Sequence, residues 1–110
     1  MDLTTLTEPG DGQVTVRVGG EIDMHSAPFL RDAALAALRQ HGPALRLDLR
    51  DVTFMDSTGI EVLVATRRRA ELGGGSLTLC RPAQAVRRVL EVTGLDQVFT
   101  IEPDQPAATV

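Results

Sequence analysis

The chain is 110 residues long, 43% apolar, and carries a formal charge of −4 from 15 acidic and 11 basic side chains. All of the basic residues are arginines, which excludes a GK[ST] phosphate loop, a Schiff-base enzyme and a lysine-dependent phosphorelay receiver. The acidic balance and the absence of Trp and Tyr argue against a nucleic-acid partner, and the length predicts one domain.

Leu3 to Thr7 and Gln13 to Val18 flank the turn-forming stretch Pro9-Gly10-Asp11-Gly12, and Val14, Val16 and Val18 alternate with polar residues. This predicts a hairpin with one buried face. After Gly20-Glu21-Ile22-Asp23, apolar residues at Leu30, Ala33, Ala34, Ala37 and Leu38 have helical spacing, with Pro28 in the first turn and Gly42-Pro43 as the stop. Leu45, Leu47 and Leu49 alternate as a strand that continues through Val52 to Met55 into Asp56-Ser57-Thr58-Gly59.

A second helix is expected from about Thr58 to Leu72, apolar at Ile60, Leu63 and Val64, and closed by Gly73-Gly74-Gly75. Ser76 to Cys80 reads as a short strand, with Cys80 a buried small hydrophobe. Pro82 is expected to open a third helix carrying Val86, Val89, Leu90 and Thr93 on one face, with Gly94 just past its end. Gln97 to Ile101 is then the last strand, and residues 102–110 a flexible tail. The order β-β-α-β-α-β-α-β predicts an α/β domain with a mixed, largely parallel sheet of about five strands and packed helices.

The chemistry concentrates at Asp56-Ser57-Thr58-Gly59, where two adjacent hydroxyls stand at the mouth of a helix. Unpaired backbone N–H groups there tolerate a phosphate, so a reversible charge switch can sit in this turn without unfolding the protein. The plainer reading is that Ser57 or Thr58 only caps the helix, and Thr58-x-x-Glu61 matches a capping box. A serine hydrolase is disfavoured because Ser57 lacks the G-x-S-x-G context and neither His25 nor His41 has a geometric claim on it. Asp23, Asp48, Asp51 and Asp56 fall near strand ends, where turn and cap roles are commoner than magnesium ligation. Arg67, Arg68 and Arg69 read as a solvated helix face. No metal or cofactor is expected.

Gly20-Glu21-Ile22-Asp23, Leu47-Asp48-Leu49, Asp56-Ser57-Thr58-Gly59-Ile60 and Val89-Leu90-Glu91-Val92-Thr93-Gly94-Leu95 before Phe99 occur in that order. In this the chain resembles the STAS domains, and most closely the stand-alone anti-sigma factor antagonists, from about Val14 to Ile101. The resemblance implies a STAS domain over residues 1–101 and a non-enzymatic role in transcription control. It implies that the unphosphorylated protein binds an anti-sigma factor, itself a serine kinase, and so releases a sigma factor.

Phosphorylation of Ser57, with Thr58 as the alternative acceptor, would end that binding until a protein phosphatase reverses it. Asp23, Asp56, Ser57, Thr58 and Gly59 are the implied contact residues, with Asp56 orienting the turn and Gly59 letting the partner's backbone approach Ser57. A STAS subunit of a membrane transport ATPase complex is the alternative role. The sequence has no basic and apolar leader and no run of about 18 apolar residues, so the expectation is a cytoplasmic protein with no membrane association. The lack of a broad exposed apolar stripe adds the expectation of a monomer when free.

Overall fold

A computed structural model describes residues 2–102 of the chain. The elements run β1 (Leu3–Gly10), β2 (Gln13–Ile22), α1 (Ala27–His41), β3 (Ala44–Met55), α2 (Ser57–Leu72), β4 (Ser76–Cys80), α3 (Gln84–Thr93), a 3-10 turn (Leu95–Gln97) and β5 (Thr100–Glu102). The five strands form one sheet in the order β1-β2-β3-β4-β5. The β1/β2 hairpin is antiparallel, and β2/β3, β3/β4 and β4/β5 are parallel. This is the α/β order expected from the sequence.

Alternation along the strands sorts the sheet into two unlike faces. Val14, Val16, Val18, Leu45, Leu47, Leu49, Leu77 and Leu79 point to one face and join Leu30, Leu63, Val86 and Leu90 of the three helices in a single core. The other face carries Thr15, Arg17, Arg46, Asp48, Thr78 and Cys80, which are brought side by side by the register pairs Arg17↔Asp48, Arg46↔Thr78 and Asp48↔Cys80.

On that polar face Asp48 is buried at 5% exposure. Its carboxylate accepts a hydrogen bond from the Arg81 guanidinium at 2.6 Å and another from the Arg50 amide at 3.1 Å. Arg81 adopts a left-handed backbone with φ 49°, and its amide donates to the Glu102 carbonyl at 2.7 Å. The Glu102 carboxylate in turn pairs with Arg46 at 2.8 Å, so the first half of β3 is tied to the carboxyl ends of β4 and β5 by alternating charges. Beside them, burial pushes the Cys80 thiol up to about 11, which leaves it protonated and unreactive near neutral pH.

Several local expectations change. The last strand is Thr100–Glu102, because Leu95–Gln97 winds into a 3-10 turn after Gly94 takes the left-handed conformation at φ 76°. Glu102 is therefore a sheet residue, and the remainder of the expected tail lies outside the described residues. The third helix starts at Gln84 with Ala83 as its N-cap, so Pro82 precedes it. On α2 the buried face is Gly59, Val62, Leu63, Thr66 and Ala70, while Val64 is 45% exposed.

Gly20 has φ 96°, and a Cβ there would collide with the Asp2 carbonyl. The strained backbone and the close approach of β1 both require glycine at this point of the Gly-Glu-Ile-Asp segment.

Burial alone would raise the pKa of Asp48 and is the largest single influence on it. The Arg81 and Arg50 hydrogen bonds and charges together outweigh burial and leave the pKa below 3.8. A carboxyl with a depressed folded pKa contributes stability above its unfolded pKa of about 3.9, and that contribution is lost as pH falls through the folded value. Urea unfolding between pH 7 and 2 should show this acid limb, and Asp48→Asn should flatten it. Arg81→Gln should cost about 1–3 kcal/mol at pH 7 by leaving the buried carboxylate underpaired.

Candidate functional site

The parallel pairing of β2 and β3 ends with Ile22 beside Met55. The chain leaves both strands at the same edge of the sheet, so the turn after β2 and the turn before α2 lie side by side at the carboxyl ends of parallel strands, the usual place for a site in an α/β sheet. The Asp56 amide donates to the Ile22 carbonyl at 3.2 Å and joins the two turns.

The turn after β2 is locked by its own side chains. The Asp23 carboxylate accepts from the amides of His25 at 2.9 Å and Ser26 at 3.0 Å. Ser26 is buried; its hydroxyl accepts from the Asp23 amide at 2.9 Å and donates to the Glu21 carbonyl at 2.6 Å. The Ser26 amide bond foremost, with the His25 amide, holds the Asp23 carboxyl below its usual range against a smaller opposing effect of burial. Ser26 carries no weight in the sequence pattern, yet its hydroxyl fixes this loop.

Asp56 is the N-cap of α2, in an extended conformation, and its carboxylate accepts from the Thr58 amide at 3.0 Å. The Thr58 hydroxyl donates to the same oxygen, Oδ1. The capping reading of Ser57 or Thr58 is therefore corrected: Asp56 performs that role. Ser57, the first helical residue, is exposed, and no hydrogen bond among the described residues engages its hydroxyl. Thr58 is half-buried and committed to Asp56.

Gly59 does not belong to the outer surface. It is buried, and an added Cβ would stand 2.5 Å from Met55 Cγ and 2.9 Å from Ile22 Cγ2. Its smallness lets α2 settle onto the ends of β2 and β3, which replaces the expectation that it admits a partner's backbone.

Large apolar side chains are exposed on the loop after β2, on α1 and near the end of β3. Met24, Phe29 and Phe54 are 66%, 67% and 46% exposed. Met24 lines a cleft of about 300 Å³ together with Pro28, Arg31, Thr58 and Glu61. The sequence pattern held one signal for this, since Phe29 falls off the apolar face of α1 set by Ala27, Leu30, Ala34 and Ala37. Among the described residues no three His, Cys, Asp or Glu side chains converge as a metal site. No helix there is long and apolar enough to cross a membrane.

The chain belongs to the STAS domain family, whose model matches residues 4–108. It is 37% identical over 101 residues to the anti-sigma-B factor antagonist of Bacillus subtilis, covering 92% of each chain. Among solved structures it is similar to an anti-sigma factor antagonist from Mycobacterium paratuberculosis, with 39% identity, a TM-score of 0.83, and coverage of 94% of this chain and 87% of that one. The anti-sigma factor antagonist SpoIIAA shares the fold in its unphosphorylated form, at 24% identity and TM-score 0.75 over 92% of this chain and 90% of that one. The Bacillus cell fate determinant SpoIIAA in its phosphorylated form matches at 23% identity and TM-score 0.69, over 92% and 93%.

Gly59→Ala should destabilise the fold by about 1–3 kcal/mol through overpacking against Met55 and Ile22, although alanine is the better helix former by about 1 kcal/mol. Chemical denaturation of the two proteins checks this, and an unchanged or raised midpoint would contradict the packing role.

Proposed function

We propose that the chain is an anti-sigma factor antagonist switched by phosphorylation at Ser57. In its unphosphorylated form it binds an anti-sigma factor that is itself a serine kinase, and this binding sets a sigma factor free. Phosphate transfer to Ser57 ends the binding, and a protein phosphatase restores it. The curated and structural relatives with that name support the antagonist role. That SpoIIAA has been solved in a phosphorylated form supports modification as the switch.

The observation that carries the choice of acceptor is the contrast between the two hydroxyls. Ser57 is exposed and unengaged, whereas the proton of Thr58 is directed into Asp56 Oδ1. Phosphorylating Thr58 would break a capping contact; phosphorylating Ser57 breaks none.

The mechanism follows from charge. A phosphate adds about −1.5 to −2 charges at pH 7, directly after Asp56 in the chain and one residue before Thr58, which shares a cleft with the apolar Met24. A partner surface fitted to a neutral hydroxyl among apolar groups then meets repulsion and a desolvation cost. A loss of about 2.8 kcal/mol corresponds to a hundredfold weaker complex. Within its own domain the same phosphate sits at the positive end of α2, which stabilises it, so the fold is retained.

Intact-mass analysis and peptide mapping of the protein from its native host, before and after phosphatase treatment, should locate a single phosphate on Ser57. Ser57→Ala should lack it and Thr58→Ala should keep it; phosphate on Thr58, or none under any growth condition, would overturn the assignment. In a binding titration with a kinase-type anti-sigma factor, Ser57→Asp should weaken the complex by about tenfold or more, in keeping with a desolvated like-charge contact, while Ser57→Ala binds as the parent does.

A further inference from the structure

Beyond the Ser57 turn, α1 and α2 enclose a groove of about 580 Å³. Leu35 of α1 and Ile60, Val64, Ala65 and Leu72 of α2 supply its apolar lining. Ile60, Val64, Arg68 and Leu72 are spaced four apart and form one ridge of α2. Val64 is 45% and Leu72 78% exposed, so this ridge is not absorbed by the core.

The charges around the groove have one predominant sign. Arg31, Arg68 and Arg69 stand against the single acid Glu61, in a chain whose net charge is −4. Arg31 has only its neighbour Asp32, at 3.6 Å with both side chains exposed, and the third arginine of the run, Arg67, pairs with Glu71 at 3.3 Å. Arg68 and Arg69 have no hydrogen bond or ion pair among the described residues.

We propose that this groove is a docking site for an acidic amphipathic helix of a partner protein. Its two walls are helices, whose backbone groups are already paired, so an extended segment would find no sheet edge on which to satisfy its own amides. A helix satisfies its backbone internally and can lay apolar residues at i, i+3 and i+7 along Ile60, Val64 and Leu72, with acidic flanks reaching Arg31, Arg68 and Arg69. The groove shares Arg31, Glu61 and Ala65 with the cleft beside Thr58 and runs on from there along α2, and none of its charged groups belongs to the Asp56-Ser57-Thr58 turn itself.

The test uses two synthetic helical peptides matched to the 16 residues of α2, with leucines at i, i+3 and i+7 and either glutamate or lysine on both flanks. Each is titrated into the 15N-labelled full chain. The glutamate peptide should shift the amides of α2 and the facing part of α1 and bind at least about tenfold more tightly than the lysine peptide. R68E with R69E should remove that preference, Val64→Asp should abolish binding, and Ser57→Ala should leave it unchanged. Equal binding of both peptides, shifts confined to other surfaces, or no shift would overturn the site. Because Ser57→Ala is included, failure here leaves the phosphorylation reading standing, and the reverse also holds.

Discussion

The Asp56 amide reaches back to the Ile22 carbonyl, and directly after it the helix beginning at Ser57 must descend onto the side chains of Ile22 and Met55. That descent works only if the third helical residue has no side chain, and Gly59 supplies this. The consequences spread outward. With α2 held close, its buried face can be built from small residues such as Thr66 and Ala70 as well as Leu63, and its first turn is set rigidly against the loop after β2. A bulkier residue at 59 would push against Met55 and Ile22 and shift the first turn of α2, which carries Ser57.

The same end of the sheet separates rigidity from reactivity by giving them to different side chains. Asp56 caps the helix, Thr58 completes the cap, and Asp23 with Ser26 closes the neighbouring loop. Every one of these polar groups is spent on structure. Ser57 is the exception at the centre of the arrangement, and it is free because Asp56 has taken the role that a serine at a helix mouth often fills. The hydroxyl proposed as the acceptor is thus presented by a frame that does not depend on it.

The sequence pattern carried the strands, helices and their order because strict alternation in β2 and β3 and the turn residues between elements are strong local signals. It misplaced the face of α2 because the buried side includes Gly59, Thr66 and Ala70, which add little apolar signal, while exposed Val64 and Leu72 add a contrary one. The pattern extends the last strand too far because Gln97 to Phe99 belong to a turn whose geometry follows from the left-handed Gly94. The Asp-Ser-Thr-Gly turn is legible as a helix mouth carrying two hydroxyls. Which hydroxyl faces water was not, since that depends on where the Asp56 carboxylate points, and Gly59 was read outward because nothing local shows that it lies against Ile22. The Asp48–Arg81 pair joins the interior of β3 to the residue just past β4, 33 positions along the chain, and leaves no local trace at all.

These placements bear on how a switch can act without disturbing the fold that carries it. If Ser57 were the cap, a phosphate would replace the contact that starts the helix, and modification would trade stability for signalling. With Asp56 as the cap, the phosphate adds charge at the outer surface and leaves the first-turn hydrogen bonds intact. The free energy of modification is then expressed across the interface, where a rigid, partly apolar surface gives a partner no room to repack around it. In the proposed switch the rigidity imposed by Gly59 and Ser26 would count as much as Ser57 itself: a flexible turn would rotate a phosphate away from the partner and blunt the difference between the two states.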